Sequence, residues 1–234
     1  MENIDAEIER YLRAIAQEPN VAEAYINLGS LYAQKQEWQL AISSYRQGIK
    51  LKPDFPWSYN KLGEALMELQ KWDEAAVSYR HSTEINPDFP WSYHKLGEAL
   101  IKLKKWEEAV FAYNKLLEIK PDFPWGYNKL GEALIKLKKL EDAVVALRRA
   151  IELEPNLYLA YKNLGEALMQ LLKWDEAVIA YRKAIEIQPN SYWDYNNLGE
   201  SLMKLERWDE AIAIFRRALE INPNLYYAPH NLAY

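Results

Sequence analysis

The chain has 234 residues, half of them hydrophobic, enough apolar material for one large domain or two ordinary ones, and this excludes disorder. Its 29 Lys and Arg against 34 Asp and Glu leave a formal charge of -5, without the basic excess of a nucleic-acid binder. The absence of cysteine excludes disulfides, thiolate metal sites and cysteine nucleophiles together, and fits a reducing compartment.

From the N-terminus, residues 1–21 mix Glu and Arg through an amphipathic pattern, whereas a signal peptide needs a basic start and an apolar centre. Ile4, Ile8, Tyr11, Ala14 and Pro19 match the second half of a repeating unit whose first half is missing. Six full units follow at 22–55, 56–89, 90–123, 124–157, 158–191 and 192–225, because a Leu-Gly pair recurs every 34 residues at Gly29, Gly63, Gly97, Gly131, Gly165 and Gly199. A Pro closes each, from Pro53 to Pro223, and residues 226–234 begin a further unit. No run approaches the roughly 18 uninterrupted apolar residues of a membrane helix, so a soluble, cytoplasmic protein without a membrane partner is expected.

Within a unit, Tyr59, Leu62, Leu66 and Leu69 keep helical spacing, and Trp72, Ala75, Ala76, Tyr79 and Ile85 resume it after a polar break, so each unit is two helices. Asp73 and Glu74 at the start of the second helix and Arg80 towards its end match the helix macrodipole. Neither helix can bury its apolar stripe alone. The units must therefore stack, giving an all-α solenoid of antiparallel helix pairs with contacts mainly between neighbours.

The pattern Tyr25-x2-Leu28-Gly29-x2-Tyr32, repeated as Tyr93-x2-Leu96-Gly97-x2-Leu100 with a closing Pro, resembles the tetratricopeptide repeat over nearly the whole chain. The resemblance implies a right-handed superhelix whose first helices line a concave groove that holds segments of partner proteins. Where the family places Gly between its two helices, this chain has Gln70, Lys104, Lys138 and Leu172, and a non-Gly residue in such a left-handed turn costs about 1 kcal/mol. Carried over by position, the groove comprises Trp57, Asn60, Lys61 and Glu64, then Trp91, His94, Lys95 and Glu98, then Trp125, Asn128, Lys129 and Glu132. Lys162, Asn163 and Glu166, then Trp193, Asn196, Asn197 and Glu200, complete it.

On a helical wheel this stripe lies across from Tyr59, Leu62 and Leu66, so its regularly spaced tryptophans stand on an otherwise polar face, with Met67, Ile101, Ile135, Met169 and Met203 at its margin. Chaperone-gripping repeats use Lys, Asn and Arg on these columns, whereas the unbroken Glu64, Glu98, Glu132, Glu166, Glu200 row sets this chain apart. Asn27, Asn163 and Asn197 fall where repeats of the O-GlcNAc transferase type carry a peptide-binding Asn ladder, interrupted here by Lys61, Lys95 and Lys129. An Asn amide offers both donor and acceptor to a peptide group, and Glu beside Trp favours Lys or Arg on the bound chain. Plain structural roles compete with these. Glu98 and Lys102, Glu132 and Lys136, and Glu200 and Lys204 are i, i+4 pairs that stabilise a helix by roughly 0.2–0.5 kcal/mol each. In Asp54-Phe55-Pro56-Trp57, Asp can cap the first helix while Phe and Trp pack on the preceding unit.

Chemistry finds little support, because nearly every Asp, Glu, Lys and Tyr recurs with the repeat and has a structural role in each unit. His81, His94 and His230 are scattered, His94 standing where other units have Asn60, Asn128 and Asn196, so neither a metal nor a cofactor is expected. The recurrent glycines sit mid-helix as packing residues, and the clusters Lys102, Lys104, Lys105 and Lys136, Lys138, Lys139 suit the ends of first helices. The expectation is a non-enzymatic interaction scaffold that binds a basic or amphipathic peptide. Two alternatives remain: the substrate-recruiting repeats of a larger glycosyltransferase or sulfotransferase, and an engineered or purely structural array. Residues 226–234 of one copy and 1–21 of the next could also rebuild a repeat, giving head-to-tail self-association.

Overall fold

A computed structural model describes residues 4–223 and contains, among them, thirteen α-helices and no strand. The described chain forms two compact units that part between Pro121 and Asp122. Unit one holds α1 (Ile4–Gln17), α2 (Ala22–Gln34), α3 (Trp38–Leu51), α4 (Pro56–Glu68), α5 (Trp72–Ile85), α6 (Pro90–Lys102) and α7 (Trp106–Ile119). Unit two holds α8 (Pro124–Lys136), α9 (Leu140–Leu153), α10 (Tyr158–Gln170), α11 (Trp174–Ile187), α12 (Tyr192–Lys204) and α13 (Trp208–Ile221). Within each unit every helix packs on the next in the chain, as stacked helix pairs require.

The helices of a pair approach closely because the Leu-Gly glycine lets a second-helix ring lie against the first-helix backbone. A Cβ on Gly63 would stand 2.6 Å from the Tyr79 ring. Tyr45, Tyr79, Tyr113, Leu147, Tyr181 and Phe215 fill this place in successive pairs and are fully buried. The first helix then stops at a left-handed residue: Gln36, Gln70, Lys104, Lys138, Leu172 and Glu206 all have φ of 57–60°. After α4, the Lys71 N–H donates to Leu66 C=O at 2.9 Å and the Gln70 N–H to Met67 C=O at 2.9 Å, a Schellman closure. The expected left-handed turn is present, and it extends to Gln36 and Glu206.

Two local expectations are corrected. Phe55, Phe89 and Phe123, in extended conformation, are the residues that precede the first helical Pro, and no side-chain cap bond forms there, so Asp54 is not the cap. Arg80 does not serve the end of its own helix; it pairs with Glu108 on α7, just as Arg46 pairs with Glu74 at 2.5 Å. In unit two, Arg148 pairs with Glu176 at 2.5 Å and Arg182 with Glu210 at 2.7 Å, so these charges join consecutive second helices. Helix α1 packs on the helix that follows it: Ile8 is buried against Leu28 and Leu31 of α2, with Tyr11 and Ile15 beside it, while Ala14 is exposed. The complementary segment 226–234 lies outside the described residues.

Candidate peptide-binding cleft

In unit one, first-helix side chains converge on a cleft of about 720 Å³. Trp57, Lys61, Glu64 and Glu68 reach it from α4 at a spacing that keeps them on one helical face, Trp91 and Lys95 from α6, and Asn27, Ser30 and Gln34 from α2. Trp38, the first residue of α3, closes the set. Trp57 remains 39% exposed and Trp91 43%, so neither indole is spent on the core.

Both lysines of the cleft are paired with carboxylates, and Glu68 adds a further carboxylate to its lining. Lys61 Nζ donates to Glu64 at 2.7 Å and lies 5.5 Å from the Trp57 ring centre. Lys95 repeats this with Glu98 at 2.8 Å and Trp91 at 4.9 Å, and in unit two Lys129 donates to Glu132 at 2.8 Å. The Glu row is therefore not bare. Glu64, Glu98 and Glu132 are held by the lysines three residues earlier, whereas Glu166 faces Lys136 at 3.6 Å. At Lys61 and Lys95 that rotamer also sets the ammonium over its own indole.

Positions 60, 94 and 128 depart from the wheel. Asn60, His94 and Asn128 are buried, since a first helix packs on a neighbouring first helix as well as on its own second helix: α4 on α2 and α6 in unit one, and α8 on α10 in unit two. Asn60 Nδ2 donates to Ser92 Oγ at 2.9 Å, joining α4 to α6, and Asn163 Nδ2 donates to Asn128 Oδ1 at 3.0 Å, joining α10 to α8. His94 lies 5.1 Å from the Trp91 ring and 6.2 Å from the Tyr113 ring, with Nε2 3.6 Å from Glu98. These three residues act in the seam between repeats rather than on an open surface. Of the Asn ladder, Asn27 is exposed in the cleft, whereas Asn197 Nδ2 is taken up by the Tyr181 hydroxyl at 3.2 Å.

In unit two, Trp125 and Trp193 are exposed, Trp193 lying 5.0 Å from Tyr192, while Lys162, Glu166, Asn196 and Glu200 are half-buried. Ile135 is buried, unlike Ile101 and the three methionines grouped with it. Trp38, Ser30 and Gln34 were missed by the sequence reading. The signal was nonetheless present, since Trp recurs at the start of second helices in Trp38, Trp72, Trp106, Trp174 and Trp208. Among the described residues no three His, Asp or Glu side chains gather as metal ligands, and no helix is long and apolar enough to cross a membrane.

Stacked antiparallel helix pairs with a glycine–ring contact in every pair define a helical-repeat protein, an all-α solenoid. Family models described as TPR repeat match residues 29–70, 63–104, 97–138 and 131–171, and one described as tetratricopeptide repeat matches 158–191 and 193–225. The chain belongs to the tetratricopeptide repeat family. Among solved structures it is similar to YrrB, described as a TPR protein with an unusual peptide-binding site, at 22% identity and TM-score 0.72 over 81% of this chain and 98% of that one. It is also similar to MamA, at 26% identity and TM-score 0.69 over 72% and 92% of the two chains. The C-terminal part of a TPR repeat-containing protein from Cytophaga hutchinsonii aligns at 19% identity and TM-score 0.77 over 98% and 95%. Comparison with curated proteins finds no match.

Proposed function

We propose that this chain is a non-catalytic protein-interaction scaffold whose unit-one cleft holds an amphipathic peptide segment. The observation that carries this reading is the convergence of Trp38, Trp57 and Trp91 on one cleft whose lysines are already neutralised by neighbouring carboxylates. Indoles offer large apolar contact area at small entropic cost, and exposed Asn27 and Gln34 can exchange hydrogen bonds with a peptide backbone. Because Lys61 and Lys95 already stand over Trp57 and Trp91, a basic ligand would have to displace them, and an amphipathic ligand is favoured over a purely basic one. The described peptide-binding site of YrrB is in keeping with this reading but does not carry it.

Trp91→Ala tests it by calorimetric titration with a net-neutral amphipathic peptide selected from an array. Roughly tenfold weaker binding is expected, the loss of one well-placed aromatic contact, with little change in melting temperature because the indole is half exposed. Unchanged affinity with a lowered melting temperature would make Trp91 a packing residue and overturn the proposal.

A further inference from the structure

The opposite side of unit one is built differently. Between α5 and α7 lies a pit of about 420 Å³ floored by Tyr93, Leu96 and Leu100 of α6, with Phe111 at its rim 61% exposed. One repeat earlier, a pit of about 390 Å³ between α3 and α5 is floored by Tyr59, Leu62 and Leu66, with Val77 at its rim 56% exposed. Val77 and Phe111 are the same repeat position. First-helix side chains thus reach through the array to floor the pits, the leucines buried and Tyr59 and Tyr93 half-buried, and Arg46–Glu74 and Arg80–Glu108 pairs cross there from one second helix to the next.

Charge says what fits there. The two pits are lined by Asp73, Glu74, Glu84 and Glu108 against Arg46 and Arg80, and Lys71 and Lys105 also reach Glu74 and Asp73 at 3.4 and 3.6 Å. Glu74, Glu108 and Glu118 are held by close cation pairs, whereas Asp73 meets Lys105 only at 3.6 Å and Glu84 meets His81. Asp73 and Glu84 are the more exposed carboxylates at the two pits. This acid surplus repels an anionic lipid surface, a nucleic acid and a second copy of the same face.

We infer that the second-helix face of α5 and α7 is a second docking surface, independent of the Trp cleft, for a cationic amphipathic segment of a partner protein. Its apolar side chains seat in the two pits and its Lys or Arg side chains meet Asp73 and Glu84. Two faces of unit one would then select partners by different means, one by indole contact and one by acid surplus around apolar pits.

The test is calorimetric titration of the full chain with a short amphipathic Leu/Lys peptide, with a Leu/Glu peptide of the same pattern as control. Expected are binding of the Leu/Lys peptide alone, weakening with added salt, and roughly tenfold loss in a Val77→Ser, Phe111→Ser variant whose helical content and melting temperature are checked in parallel. Asp73→Asn with Glu84→Gln should reduce the salt dependence without unfolding risk, and Trp57→Ala with Trp91→Ala should leave the affinity unchanged. Loss of binding in the tryptophan variant but not in the pit variant, equal binding of both peptides, or no binding would each overturn the inference. None of these results bears on whether the cleft takes a neutral amphipathic peptide, so the two proposals fail separately.

Discussion

Tyr79 and Tyr181 occupy the same place over a Leu-Gly glycine, yet their hydroxyls differ. Among the described residues the Tyr79 hydroxyl finds no hydrogen-bond partner, whereas the Tyr181 hydroxyl accepts from Asn197. Removing an unsatisfied buried hydroxyl is neutral or stabilising, while removing a satisfied one leaves its partner wanting, a difference of about 1 kcal/mol. Tyr79→Phe should therefore match or exceed the unsubstituted protein in melting temperature and Tyr181→Phe should fall below it; Phe215 shows that the position accepts Phe. Burial pushes both phenols well above the ordinary value of 10.0, with the Glu64 and Glu166 carboxylates adding to it at Tyr79 and Tyr181 respectively. The native state thus keeps both protons where the unfolded chain loses them. Their contribution is fully present below about pH 10 and is lost as pH rises beyond it, by about 1.4 kcal/mol per pH unit for each. Titration followed by tyrosinate absorbance should show these two phenols ionising only as helicity is lost; smooth ionisation with helicity intact would contradict their burial.

At the scale of the helices, the left-handed residue that ends each first helix is the most economical point to change. Leu172 has φ 60° and is 68% exposed, so its side chain buries little to offset the strain. Leu172→Gly should raise stability by about 1 kcal/mol in chemical denaturation, and Lys138→Gly should act in the same direction, slightly less because Lys138 Nζ also donates to Gln170 at 2.8 Å. A lower midpoint for both would contradict the turn. This turn was legible in the sequence because the repeat motif places it by counting. The same counting located the helices and the packing glycines. It could not show the Arg46–Glu74 and Arg80–Glu108 pairs, which join residues 28 apart on different repeats. Nor could it show that Asn60 and Asn128 sit in seams, because a single-helix wheel sees one neighbour and a stacked first helix has several.

Over the molecule as a whole, a net charge of -5 conceals an uneven distribution. In unit one Lys61 and Lys95 of the Trp cleft are paired with Glu64 and Glu98, and the two pits between second helices are lined by Asp73, Glu74, Glu84 and Glu108 against Arg46 and Arg80. Composition alone reported the excess but not its location, and at two positions of the Glu row the carboxylate is shared with Lys61 or Lys95. The cleft's own composition was half legible: Trp57 and Trp91 stood out on a polar face, while Trp38 reaches the same cleft from a second helix. In the proposed function these three indoles form one peptide site. The most direct test records the indole N–H resonances of the nine tryptophans, assigned by single Trp→Phe substitutions, during titration with a net-neutral amphipathic peptide. Saturable shifts at Trp38, Trp57 and Trp91 with one common dissociation constant are expected, while Trp174 and Trp208 stay in place. Shifts confined to Trp174 and Trp208, or different constants for Trp38, Trp57 and Trp91, would contradict it.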